Sequence, residues 1–231
     1  MKFLIISICD SHCHNGPAFT EIAKIANQSA KEYCELHGYD YLFLNENPDP
    51  TRQISWGRTF LVKQNLSKYD WILCIDSDLM IMNHTIKLEY LIDNNYNVIV
   101  AANERNINRI NTGSILWKNC KKSEWMIEEM YKYEEFANKG YWEQSALIKL
   151  IGVFPSLLLD SIKIVCPRHM NSFYHFFFKN EVDSNYKHGD FCVHLAGSGN
   201  NYRIKELNNF RKYIIRPIEN IDIPIISLEY N

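Results

Sequence analysis

Five apolar residues, Trp71-Ile72-Leu73-Cys74-Ile75, run directly into Asp76-Ser77-Asp78. Side chains two positions apart on a strand face the same side. Asp76 and Asp78 are therefore expected to converge on one point at the end of a buried strand. Two carboxylates held close in apolar surroundings repel each other unless a cation or hydrogen-bond donors compensate. Oxygen ligands suit a hard ion, Mn²⁺ or Mg²⁺ rather than zinc. Such an ion can bridge phosphate oxygens and neutralise a leaving diphosphate. An Asp-x-Asp also arises by chance as a capped turn, so the motif gains meaning from its placement.

The elements around it alternate. Residues 2–9 read as a buried central strand. Pro17 suits a first helical turn, and Ile22, Ile25, Ala26, Tyr33 and Leu36 follow helical spacing as far as Gly38. Tyr39 to Leu44 reads as the next strand, closing a βαβ unit. Further helices are expected over 55–67, from Thr85 to about Asn94, and over 121–137 and 142–151. Further strands are expected over 71–75, 97–102, 112–117, 162–165 and 191–195. The stretch from Ser172 to Gly189 is aromatic, polar and irregular. This order predicts an α/β fold with a Rossmann-like mixed central sheet flanked by helices. Ligands bind such sheets at the carboxyl ends of the strands, where Asp76 and Asp78 lie.

Three later motifs keep the aspartates company: Asn111-Thr112-Gly113-Ser114, Trp142-Glu143-Gln144-Ser145, and Val193-His194-Leu195-Ala196-Gly197. Four motifs in this order resemble GT-A fold nucleotide-sugar glycosyltransferases, above all the galactosyl/mannosyltransferases and xylosyltransferases. The resemblance runs from Phe3 to about Lys205. It implies a single GT-A domain over 1–231, with a nucleotide-binding half (1–102) and an acceptor-side half (103–231). It implies transfer of a hexose from a nucleoside diphosphate sugar, UDP-glucose or UDP-galactose first, to a hydroxyl of a glycan or glycoconjugate acceptor.

The resemblance also assigns roles. Asp78 and His194 would ligate Mn²⁺ (or Mg²⁺), with Asp76 on the ion, the ribose or the sugar. Ile8, Cys9 and Asp10 would hold base and ribose, with Ser77 and Lys63 also at the nucleotide. Trp56 and Arg58, near Lys63, are weaker candidates for the same role. Asn111 and Gly113 would sit beside the donor sugar, and Glu143 and Gln144 would bond its hydroxyls or stabilise the anomeric centre. Gly197 would admit the backbone close to the diphosphate, with Arg203 and Lys205 supplying positive charge. Cys9, His12, Cys13 and His14 resemble a zinc cluster, but no second pair stands at comparable spacing. That loop is read as bordering the nucleotide.

Two rival readings remain. One is a non-catalytic sugar-nucleotide or glycan-binding protein on the same scaffold. The other is a haloacid-dehalogenase-type phosphatase with Asp76 as nucleophile, although Met80 and the motif's place on a later strand depart from that pattern. Composition bounds the rest. A chain of 231 residues buries roughly 70% of its unfolded surface and needs no staple. A net charge of −2 gives no electrostatic footprint for nucleic acid. Seven cysteines at irregular spacing read as reduced thiols. No transmembrane run or signal segment is evident, so a soluble cytoplasmic protein is expected.

Overall fold

The N-terminal apolar run forms β1 (Phe3–Ile8), with all six residues buried. α1 (Gly16–His37) and β2 (Asp40–Leu44) complete the expected strand–helix–strand unit. Gly38 ends α1 at φ 68°, a conformation that glycine adopts without steric cost. α2 (Trp56–Asn65) then leads to β3 (Trp71–Ile75). β1 lies parallel between β2 and β3. The structure, a computed structural model, describes residues 1–10, 16–103, 106–174 and 183–217. The His12, Cys13 and His14 cluster lies outside the described residues.

The second half adds β4 (Leu79–Ile81), β5 (Val98–Asn103), β6 (Asn106–Lys118), α3 (Lys121–Tyr131), α4 (Trp142–Val153), α5 (Pro155–Leu158), β7 (Ile162–Val165), α6 (Pro167–Met170), β8 (Cys192–His194) and α7 (Asn200–Phe210). The main sheet has the order β2-β1-β3-β6-β5-β7. It is mixed, because β6 runs antiparallel to both β3 and β5. β4 and β8 form a separate antiparallel ribbon.

Alternation along the strands splits the core. Leu4, Ile6, Ile72 and Cys74 pack on the side of α2, α3 and α4. Phe3, Ile5, Leu73 and Ile75 pack on the other, with Ala30 and Tyr33 of α1. A third cluster joins Ile22 and Ala26 of α1 to Met80 and Val193 of the ribbon and Leu207 of α7. Each fully buried Leu, Ile or Phe contributes about 1.5–3 kcal/mol.

Several expected elements change. The helix from Thr85 to Asn94 is only a 3₁₀ turn at Leu88–Tyr90. The Asn83 side chain bonds the Thr85 backbone N–H, and Tyr33 Oη donates to the Ile86 carbonyl at 2.7 Å. Side chains thus take backbone groups that a helix would use. α3 stops at Tyr131 rather than continuing to Ala137, where the Arg52 guanidinium takes the Tyr131 carbonyl at 2.8 Å. The ribbon strand β4 and the helices α5, α6 and α7 were not expected. Among the described residues six cysteines stand as free thiols.

Candidate active site

β3 ends at Ile75, and Asp76 to Leu79 form a turn closed by the Leu79 N–H on the Asp76 carbonyl at 3.1 Å. Asp76 and Asp78 do converge, but through this turn and not through strand alternation. The turn feeds β4, whose Leu79 lies opposite His194 on β8. The ribbon thereby carries His194 to the aspartates. Its Nε2 is 3.1 Å from Asp78 Oδ1 and 3.5 Å from Asp76 Oδ2. One ligand atom from each of the three residues lies within 4.8 Å of the others. Two carboxylates and an imidazole suit a divalent cation.

A bulge in β6 completes the cluster. Ser114 pairs with Ile75 of β3, yet on the β5 side the register jumps from Val100–Ile115 to Ala101–Asn111. The skipped residues, 112–114, press toward β3, and the Gly113 carbonyl accepts the Asp76 N–H at 2.8 Å. A Cβ on Gly113 would stand 2.4 Å from His194 Cε1 and 2.9 Å from Asp76 Oδ2. Glycine is therefore required here for close approach. Asn111 Oδ1 accepts the Gly113 N–H at 2.8 Å and the Asn171 side-chain amide at 2.9 Å. Asn171 Oδ1 lies 2.9 Å from His194 Nδ1.

Two arginines balance the acid. Arg58, buried on α2, sits 2.7 Å from Asp76 Oδ1 and 2.9 Å from Glu143 Oε1. It also donates to the Thr112 carbonyl, while Thr112 Oγ1 donates to Glu143. Arg203 Nε lies 3.1 Å from Asp78 Oδ2. Burial opposes the Asp78 charge, but His194 and Arg203 outweigh it and hold that carboxyl down at about 2. Burial likewise opposes a charge on His194, and the neighbouring Asp78 and Asp76 raise its pKa above the ordinary value. Burial pushes Glu143 upward against the pull of Arg58.

The cluster forms the floor of a cleft with two lobes. One lobe is lined by Ile8, Cys9, Asp10, Ser77, Asp78 and Arg203, whose guanidinium lies 5.3 Å over the ring of Phe19, also in the lining. The other is lined by Asn111, Gly113, Glu143 and Gln144, with Asn103, Arg109, Tyr141 and Ile148 toward the outside. Asp76, Arg58, His194, Gly197 and Trp142 line both. The first lobe joins residues 8–10 to residues 194–203, far apart in the sequence.

Most of the expected residues meet in this cleft, but three do not. Trp56 is buried in the core, its indole N–H on the Phe136 carbonyl at 3.0 Å. Lys63 is half exposed and pairs with Glu128 at 3.6 Å, lining neither lobe. Lys205 points outward, 74% exposed beside Glu206. Residues five apart on a helix are separated by roughly 140° around its axis, so Arg58 faces the site where Lys63 cannot. Arg203 reaches the cleft but is engaged with Asp78. Glu143 reaches it bound to Arg58 and Thr112, while Gln144 Oε1 accepts the Thr112 N–H at 3.1 Å. Asn171 carried no signal in the sequence beyond adjoining an irregular segment. Trp142 was read only as the start of a motif. Among the described residues it is the one non-glycine at positive φ, 49°, a strain of roughly 1–2 kcal/mol. Such strain clusters at functional sites.

A family model described as galactosyl transferase GMA12/MNN10 family matches residues 89–204. A second, described as protein of unknown function DUF273, matches residues 30–146. An uncharacterized alpha-1,2-galactosyltransferase of Schizosaccharomyces pombe is 25% identical, covering 84% of this chain and 61% of its own length. An alpha-1,2-galactosyltransferase of the same yeast is 22% identical, covering 80% of this chain and 58% of itself. The chain thus spans about three fifths of these relatives. In structure it is similar to a glycosyltransferase involved in glycosylation of the major capsid of PBCV-1, with TM-score 0.69 and 19% identity over 90% of this chain and 100% of that one. It is also similar to mouse xyloside xylosyltransferase 1, with TM-score 0.55 and 9% identity over 86% and 99% of the two chains. The galactosyltransferase LgtC gives 0.54 and 12%, over 94% and 98%. These likenesses confirm the expected α/β GT-A fold. Among the described residues no helix is long and apolar enough to cross a membrane.

Proposed function

The chain belongs to the galactosyl transferase GMA12/MNN10 family, and from that premise we propose that it transfers a hexose from a nucleoside diphosphate sugar to a hydroxyl of a glycan acceptor. UDP-galactose or UDP-glucose is the donor we favour. The observation that carries this reading is the convergence of Asp76, Asp78 and His194 on the floor of a two-lobed cleft. These three residues would hold Mn²⁺ or Mg²⁺. When bound, such an ion neutralises charge developing on the departing diphosphate.

The lobe holding Ile8, Cys9, Asp10 and Ser77 would take the nucleotide, with Asp10 accepting from ribose or base. Gly197 would let the backbone approach the diphosphate, and Arg203 would steady Asp78 beside it. Asn111 and Gln144 line the second lobe and would orient the sugar. Arg58 reaches both lobes and fixes Asp76 against Glu143. An inverting reaction needs a carboxylate base at the acceptor. Among the described residues, the two carboxylates lining the second lobe, Asp76 and Glu143, are both engaged by Arg58. Asp160 is exposed and Asp190 is held by Arg168 and Ser172, and neither lines the cleft. This favours retention of configuration.

The test incubates the protein with Mn²⁺ and a panel of nucleotide sugars, with and without EDTA, and measures nucleotide release. EDTA-sensitive release from one donor is expected. Binding without turnover would instead favour a non-catalytic sugar-nucleotide protein. Phosphate release from simple phosphoesters, with no use of any nucleotide sugar, would favour a phosphatase.

A further inference from the structure

The two carboxylate oxygens around His194 Nε2 pose a problem that the three ligand residues do not solve. A neutral imidazole beside two carboxylates gains most by carrying its proton on the nitrogen that faces them. That tautomer is useless for ligation, because the facing nitrogen must offer a lone pair. Something has to hold the proton on Nδ1.

The hydrogen-bond chain on the far side of the ring does so, and its polarity can be read without ambiguity from one end. The Gly113 N–H can only donate, so the Asn111 atom it meets at 2.8 Å is the carbonyl oxygen. That oxygen can only accept, so the Asn171 atom 2.9 Å from it is the amide nitrogen. The other end of the Asn171 amide, facing His194 Nδ1 at 2.9 Å, is then an oxygen. An oxygen there requires a proton on Nδ1 and leaves the Nε2 lone pair toward Asp78 and Asp76 when the ring is neutral. The surroundings keep the chain from slipping. Asn171 is fully buried, the His194 N–H is tied to the Ser172 carbonyl at 2.7 Å, and Phe173 stacks on the imidazole at 5.5 Å.

We propose that Asn171 is a positioning residue of the metal centre, set by Gly113 and Asn111 to lock His194 in the tautomer that ligates through Nε2. This rests on the cation reading given above. Ligand-orienting groups of this kind change metal affinity by about 10–100-fold when removed.

The test uses the full chain, with two measurements. The first is ¹⁵N-histidine NMR of the metal-free wild type at a pH where the rings are neutral, with the His194 signal identified by its loss in His194→Gln. Protonation at Nδ1 is expected, and a proton on Nε2 overturns the inference whether or not any variant folds. The second is Mn²⁺ affinity by electron paramagnetic resonance for wild type and Asn171→Leu. The variant should bind about 10–100-fold more weakly and shift its His194 proton toward Nε2, with the other histidine signals unmoved. Affinity within twofold of wild type, with Nδ1–H retained, overturns it as well. If the wild type binds no Mn²⁺, the cation reading fails and the metal-centre role of Asn171 with it, while the NMR result separately decides whether the Asn171 contact sets the His194 tautomer.

Discussion

Arg58 stands between two carboxylates, and its worth is set by what it leaves behind when removed. Both it and Glu143 are only 5% exposed, so neither charge can turn to water. Breaking a buried ion pair by deleting one partner costs about 3–5 kcal/mol, because the remaining charge stays buried and uncompensated. Arg58→Ala should therefore lose about that much stability in urea denaturation. The double variant Arg58→Ala with Glu143→Gln should recover part of it, since the orphaned charge is gone. Little coupling between the two substitutions would show that the pair is not what holds Arg58. Gly113 makes a different argument at the same scale. A methyl group 2.4 Å from His194 Cε1 cannot be accommodated without moving the ring. Gly113→Ala should weaken Mn²⁺ binding by at least about tenfold while far-UV circular dichroism stays unchanged, because the bulge lies at the sheet's end and the core is elsewhere. Unaltered Mn²⁺ affinity in that variant would mean His194 is not a ligand.

Between α1 and the ribbon, His84 is buried against Ser29, with Ser29 Oγ 2.9 Å from its Nε2. Burial, helped by Arg216, lowers its pKa to about 4. The unfolded chain takes up this proton below about pH 6.5, whereas the folded chain resists it until about pH 4. Stability from this group is thus present at neutral pH and is lost as pH falls through that window. The loss is on the order of 3 kcal/mol at about 1.4 kcal/mol per unit. His84→Gln should flatten the dependence of the urea midpoint on pH between 6.5 and 4.5; an unchanged slope would place the sensitivity elsewhere. Elements such as this ribbon also mark what the sequence could tell. β1, β2, β3 and β5 were legible because continuous apolar runs ended at polar loops. β4 was not, since Leu79-Met80-Ile81 is three residues long and directly follows the aspartates. α7 carries Asn, Arg, Lys and Glu around a thin apolar face of Tyr202, Ile204, Leu207 and Phe210, of which only Leu207 is fully buried, so its helical pattern is weak. At the site, Asp76, Asp78 and His194 were legible as residue types in order. The turn that brings the aspartates together, the bulge under Gly113 and the choice of Arg58 over Lys63 depend on register and helix rotation, which short motifs do not encode. The Asn171 side chain meets those of Asn111 and His194, distant in the chain, and leaves no sequence pattern at all.

Across the whole molecule, the three proposed ligands span two separately paired sheets. Asp76 hangs from the end of β3 in the six-stranded sheet, whereas His194 belongs to the β4–β8 ribbon and Asp78 leads into it. The ribbon packs on α1 and α7 through Met80, Val193 and Leu207. A bound cation would add a direct link between ribbon and main sheet at the point where they meet. A ligand that binds only the folded chain stabilises it by about 2.7 kcal/mol at one hundred times its dissociation constant. For a chain of this length, each kcal/mol moves the melting temperature by roughly 2–4 °C. Mn²⁺ at that excess should therefore raise the melting temperature by about 5–10 °C, and EDTA should reverse the shift. Asp78→Asn should abolish it while melting cooperatively, because Arg203 can still bond the amide oxygen. An equal Mn²⁺ shift in that variant would place the cation at some other site. A shift in the wild type accompanied by a separate early transition without metal would show the ribbon opening first, which fits an element paired apart from the main sheet and joined to it by the turn at the aspartates.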